Sequence, residues 1–213
     1  FHCKMPIFVA RQWVRHRTAN INEYSLRYSE ARDEFYMPDP EHIQFQSALN
    51  KQGRMGEVPT ELKQKVLDSF KEISERSFAI YSELNEAGVA RELARSILPV
   101  NLYTEWYWKN DLHNLLHFVG LRSDSHAQYE IRVFSDAMAE SVKAVAPFAW
   151  EAYQDYVVNG MRFSRIEQSL LEKNLPYRVI EDIGEDIAYQ LTATLHAAKP
   201  REEADLYSLY QKQ

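Results

Sequence analysis

Apolar and polar residues alternate over the first five positions, FHCKM. Phe1, Cys3 and Met5 lie on one side and His2 and Lys4 on the other, which predicts a short strand. Pro6 follows where proline suits the first helical turn, and a helical period over Ile7–Arg17 puts Ile7, Ala10 and Val14 on one side. Arg11 and Arg15, and Gln12 and His16, are four apart and share faces of that helix. Asn20 and Asn22 then mark an irregular segment, closed by the two prolines of EFYMPDP. Residues 41–59, with Gly53, Gly56 and Pro59, read as a loop region.

Thr60 is a candidate N-cap for a long helix to Ala87, closed by Gly88. Its apolar stripe, Leu62, Val66, Phe70, Ile73, Ile80, Tyr81 and Leu84, marks it as scaffold. A short helix, Ala90–Leu98, stops at Pro99. LYTEWYW, residues 102–108, predicts an aromatic strand whose tryptophans belong to the core. Asp111 can cap a helix over 112–121 with Leu112, Leu115, Leu116 and Val119 facing inward. Ser125 and Gln128 form a capping-box pattern for the next helix, which runs to Ala146. Further helices are expected over 147–158, 164–173 and 184–197. The balance is strongly helical with a few strands, and there is no internal repeat.

Composition narrows the function classes. The 213 residues suffice for one full core, so a single domain over 1–213 is the expectation. A net charge of -6 excludes a broad nucleic-acid-binding surface. The charge is uneven, though: residues 1–32 carry Lys4, Arg11, Arg15, Arg17, Arg27 and Arg32 against only Glu23 and Glu30. A basic pocket inside an acidic protein suits a small anionic ligand. Cys3 is the sole cysteine, so neither an internal disulfide nor a cysteine metal site can form, which fits the cytoplasm. No apolar run approaches the ~18 residues of a membrane helix.

The chemistry concentrates in RHRTANINEYSLRYS, Arg15 to Ser29. A core would not hold so many hydrogen-bonding groups, since each left unpaired costs about 1–3 kcal/mol. The stretch therefore reads as a surface that grips an anionic, planar ligand, with Arg95 and Arg122 as further bidentate donors at element ends. His113 and His117, four apart, with His126 beyond, have the spacing of a zinc site but lack the glutamate of an HExxH motif. Ser25 has no nucleophile elbow around it. With 6 glycines and no GxGxxG, any dinucleotide is held without a Rossmann turn.

These residues resemble the signature of flavin-dependent thymidylate synthases, an RHR followed by a serine and an RYS. The likeness runs through PIFVARQW and EFYMPDP and resumes at GVARELARSILPVNLYTEWYW and DLHNLLHFVGLRSDSHAQYEIR. The resemblance implies an α/β (α+β) fold, a central, mostly antiparallel sheet flanked by helices. It also implies a homotetramer with active sites at subunit interfaces. The implied reaction converts dUMP to dTMP with methylenetetrahydrofolate as one-carbon donor and FAD carrying hydride from NADPH, with no cysteine nucleophile. By position, Gln12, Arg15, Glu23, Ser25, Leu26, Arg27, Arg95 and Arg122 would contact dUMP. Arg27 and Arg95 would take the phosphate and Arg122 would polarise the uracil ring. Arg15, His16, Arg17, Thr18, Asn22, Glu23, Asp111, His113 and His117 would contact FAD. Some members have glycine at Leu26 and asparagine at Asp111, and members carry an N-terminal segment for which the sequence before Phe1 offers no counterpart. Two rivals remain: a non-catalytic nucleotide-binding module, and a zinc hydrolase built on His113, His117 and His126.

Overall fold

Strand β1 (His2–Pro6) forms where the alternation predicts it, with Cys3 and Met5 buried. Phe1 extends its pairing, since Trp108 N–H donates to the Phe1 carbonyl at 2.8 Å. Helix α1 (Ile7–Trp13) is shorter than the expected Ile7–Arg17 and buries Val9, Ala10 and Trp13. Val14 caps it, and Arg15 and His16 continue as a looser turn bonded to the carbonyls of Gln12 and Trp13. The four residues expected to be irregular, Asn20–Glu23, are strand β2, all exposed.

Beyond it, Pro40–His42 form a short 3-10 turn, and the expected loop contains a small hairpin of β3 (Phe45–Gln46) and β4 (Arg54–Met55). Helix α2 (Thr60–Glu86) starts with Pro59, not Thr60, at the cap position, its carbonyl accepting from Leu62 and Lys63. Helix α3 (Arg91–Ala94) passes into the 3-10 turn Arg95–Ile97. Strand β5 (Tyr103–Lys109) and helix α4 (Leu112–Arg122) follow as expected, except that Leu112 is exposed and Phe118 takes an inward place. Helix α5 (Tyr129–Val145) begins beyond the expected capping box. Asp124 already accepts from the His126 N–H at 2.8 Å and closes a separate turn there. Helix α6 (Pro147–Tyr153) continues into a π-helical turn, Gln154–Val158, and α7 spans Arg165–Asn174.

This computed structural model describes residues 1–48 and 53–174, with side chains as far as 171. The chain divides into two compact units, Phe1–Asn159 and Gly160–Gln213. In the second, α7 is the described element, and the helix expected at 184–197 lies outside the described residues.

The sheet is antiparallel in the order β1-β5-β2, so β5 pairs on both sides. His2 stands opposite Tyr107 and Met5 opposite Thr104, while Asn20 faces Lys109 and Glu23 faces Trp106. Pleating sends Thr104, Trp106 and Trp108 into the core and leaves Tyr107 outside. Trp13 fills the space beneath, stacked on Phe118 at 4.9 Å and edge-on to Trp106 and Trp108. Tyr153 closes the far side, its hydroxyl 2.9 Å from where a Cβ on Gly120 would lie, so the glycine makes room for it.

A second cluster gathers Ala31, Tyr81, Ala94 and Leu102, with Leu26, Phe35 and Phe78 against it. The Tyr81 hydroxyl accepts from the Ala31 N–H at 2.9 Å and ties α2 to the segment after β2. The apolar stripe of α2 does not all go inward: only Ser74 and Tyr81 are buried, and Ile73 keeps 55% of its surface in solvent.

Candidate functional site

Two groups of the expected residues assemble. The first lies where the turn after α1 meets the C-terminal end of α4. His16 reaches this point because the chain leaves the helix at Trp13, whose ring is locked in the core. The Arg122 Nε–H donates to His16 Nε2 at 2.9 Å. Arginine has no acceptor atom, so the imidazole accepts on Nε2 and carries its own proton on Nδ1. Phe118 packs edge-on to that ring at 4.8 Å and His117 stands edge-on at 6.3 Å. Burial, then Arg122, then His117 push the His16 pKa down from 6.5 to about 4, so the ring is neutral near pH 7. Burial also lowers the Arg122 pKa from 12.5. The amide oxygen of Gln12, one turn before His16, is buried without a hydrogen-bond partner among the described residues. His113, one turn before His117 on α4, is exposed.

The second group lies on the turn after β2 and on α3. Ser25 opens a single helical turn, its carbonyl accepting from Tyr28 and Ser29. Among the described residues its hydroxyl meets only the Arg27 N–H, at 3.4 Å, so none of them activates it as a base. Arg27 places Nε and Nη2 on Glu92 at 3.2 and 3.0 Å, and its guanidinium lies over the Tyr28 ring. Arg91 mirrors it, bonding Glu30 at 2.9 Å and the Tyr28 carbonyl at 3.0 Å. Leu26 uses its side chain as an anchor in the second apolar cluster, and its backbone N–H has no hydrogen-bond partner among the described residues. Arg95 is half-buried, directly after α3 at the start of the 3-10 turn.

Between the groups, β2 presents Asn22 opposite Tyr107 and Glu23 opposite Trp106. Glu23 Oε1 accepts a 2.6 Å hydrogen bond from the Thr104 hydroxyl, a contact that sequence reasoning missed because the two positions are 81 apart in the chain. Arg15, Arg17, Thr18 and Asn22 are exposed. Arg15, Arg17 and Arg95 form no ion pair among the described residues, unlike Arg27 and Arg91. Asp111 caps α4: its carboxylate accepts from the Asn114 N–H at 2.9 Å and the Asn114 amide at 2.7 Å, bonds that lower its pKa.

Other expected combinations do not assemble. Among the described residues no hydrogen bond, ion pair or ring contact joins the Arg122 group to the Arg27 group. Nor does any cluster of three His, Cys, Asp or Glu side chains there have the geometry to hold a metal ion. His126 turns to Asp124 at 2.8 Å instead of joining His113 and His117, so the zinc-hydrolase arrangement has no ligand set. A surface depression on α2, lined by Asp68, Lys71, Glu72, Glu75 and Arg76, touches none of the candidate residues. No described helix is long and apolar enough to cross a membrane.

Known proteins share this chain's pattern. A family model described as thymidylate synthase complementing protein matches residues 1–148. A flavin-dependent thymidylate synthase from Rickettsia conorii is 52% identical over 178 residues, which is 78% of this chain and 60% of the relative. One from Ehrlichia ruminantium is 48% identical over 192 residues, 90% of this chain and 62% of the relative. The chain thus spans about three fifths of the length of these curated relatives. Among solved structures, a UMP/dUMP methylase, PolB from Streptomyces cacaoi, bound with 5-Br UMP, superposes with a TM-score of 0.69 at 33% identity. That match covers 73% of this chain and 71% of the other.

Proposed function

The chain belongs to the thymidylate synthase complementing protein family, and from that premise we propose that it is a flavin-dependent thymidylate synthase that methylates dUMP to dTMP. The observation that carries the reading is the partner of Arg122. That partner is a neutral imidazole, not a carboxylate, so the guanidinium keeps its full charge, and four N–H groups remain for a ligand. A charge held this way suits a uracil ring on which negative charge develops during reaction. The relative bound with 5-Br UMP supports a uridine nucleotide as substrate.

His16, His117 and the exposed polar residues near them in the chain fit a flavin. Arg15 and Arg17, without an ion pair among the described residues, offer charge to a pyrophosphate, and the Gln12 amide oxygen, without a partner there, is an acceptor for a donor on nucleotide or cofactor. His16, Thr18, Asn22, His113 and His117 supply further polar edges, whereas Asp111 has much of its accepting capacity taken by Asn114. FAD, when bound, would supply hydride drawn from NADPH, with methylenetetrahydrofolate giving the one-carbon unit. Arg27 and Arg95 would hold the phosphate, Arg27 with its remaining donors while Glu92 steadies it. Cys3 is buried, and burial raises its thiol pKa, which suits a route without an enzyme cysteine nucleophile.

We read the working unit as a homotetramer in the cytoplasm with its sites between subunits. Two features support this: among the described residues no hydrogen bond, ion pair or ring contact joins the Arg122 group to the Arg27 group, and α2 exposes Ile73 and Ile80. The test is direct. Purified protein should be yellow, oxidise NADPH faster with dUMP present, and form dTMP once methylenetetrahydrofolate is added. Protein that binds dUMP but forms no dTMP under those conditions would be the non-catalytic nucleotide-binding module instead.

A further inference from the structure

Strand β5 carries one hydroxyl among its buried residues. Thr104 shares the core-facing side with Trp106 and Trp108, and Met5 stands opposite it on β1. It is 92% removed from solvent. A buried hydroxyl needs a partner, because orphaned polar groups in a core are costly. Its partner is Glu23, the last residue of β2, two positions offset in the register and on the same face of the pleat.

The contact is directional. The threonine hydroxyl has one proton and donates it to Glu23 Oε1 at 2.6 Å, the length of a charge-assisted bond. Glu23 is otherwise exposed at the end of an edge strand, where a glutamate side chain would sample several rotamers. Its second oxygen, Oε2, accepts no hydrogen bond among the described residues. Holding one oxygen from below therefore leaves the other presented in a single place.

A carboxylate among ligands that are themselves anions can only serve their donor atoms. In dUMP these are the uracil N3–H and the deoxyribose hydroxyl, so Glu23 belongs to the nucleoside half and the arginines to the phosphate half. We propose that Thr104 is a positioning residue, its buried hydroxyl fixing the Glu23 carboxylate so that Oε2 meets the nucleoside donors of dUMP; this rests on the reading of the site as a dUMP site.

The experiment is a double-mutant cycle read by equilibrium dUMP binding, with the thermal midpoint measured in parallel. Thr104→Val removes the hydroxyl at constant shape and is expected to weaken dUMP binding about tenfold, as the loss of a hydrogen bond to a charged group does. Thr104→Ser keeps the donor and is expected to restore binding. In a Glu23→Gln background the Thr104→Val change is expected to add less than about twofold. A purely structural role for Thr104 would give the same loss in both backgrounds and would overturn the proposal, as would undiminished binding by Thr104→Val. If Thr104→Val does not fold, Thr104→Cys, with a weak donor of similar size, carries the same cycle. Wild-type protein that fails to bind dUMP at all would bring down the site reading itself, whereas wild-type binding indifferent to Thr104 brings down this inference alone.

Discussion

Arg122 donates to His16 and, second to burial, helps keep the imidazole neutral. Replacing Arg122 by alanine should lower turnover roughly a hundredfold to a thousandfold, the usual cost of losing a donor to developing charge. Circular dichroism should remain that of the wild type. Arg122→Lys should fail to recover activity, because one ammonium cannot both donate to His16 and present a planar fork. His16 also predicts a pH effect. Its native pKa of about 4 lies below the ordinary 6.5, so between these values the unfolded chain binds a proton that the native chain refuses. Stability should therefore fall as pH drops from about 6.5 to about 4. Urea unfolding at stepped pH measures this, and His16→Gln should lose less over that interval. The sequence could name both residues from their motifs, but not their contact, because 106 positions separate them and no local period encodes the pairing. Thr104 was invisible for the same reason, since an alternating strand read from sequence shows which face a threonine occupies but not what it touches.

Among the secondary-structure elements, the small β3–β4 hairpin is fastened by one buried acid. Glu130, at the start of α5, accepts from Arg54 at 2.6 and 2.8 Å and from the Tyr36 hydroxyl at 2.7 Å. The bonds from Arg54 and Tyr36 outweigh burial and lower the Glu130 pKa, while burial and Glu130 together raise that of Tyr36. Glu130→Ala should cost about 3 kcal/mol, the lower end for a broken buried pair because Arg54 is partly solvated. Adding Arg54→Ala should cost little more, and chemical denaturation of the single and double variants checks both statements. Legibility at this scale followed side-chain pattern. Strands β1 and β5 and helices α2 and α4 announced themselves through alternation or period. Strand β2 did not, because its residues, NINE, are all exposed and it exists through backbone bonds to β5. Helix α1 was overextended, since the period continues on paper to Arg17 while Val14 already caps the chain. The apolar stripe of α2 was legible as a stripe, but not how much of it is buried, because periodicity does not say which protein surface will cover it.

At the level of the whole molecule, the proposed placing of the Arg122 and Arg27 groups, which share no direct contact among the described residues, in sites between subunits has a measurable consequence. Arg27→Ala and Arg122→Ala should each be inactive alone, yet mixing the two after mild dissociation should restore part of the activity, because some interfaces then combine two intact groups. Sedimentation should give four times the 25.0 kDa chain mass. Absence of complementation would place both groups in one subunit's site. Strand β5 bears on how the molecule comes into being. Both its neighbours precede it in the chain, and Glu23 is synthesised 80 positions ahead of Tyr103. At roughly 5–20 residues per second, the signature segment leaves the ribosome on the order of 4–16 seconds before the strand that gives it a fixed conformation. Until then the strand between its arginines is unpaired, so nascent chains stalled before residue 103 should be open to proteolysis around residues 15–29, and chains stalled well beyond residue 122 should resist it.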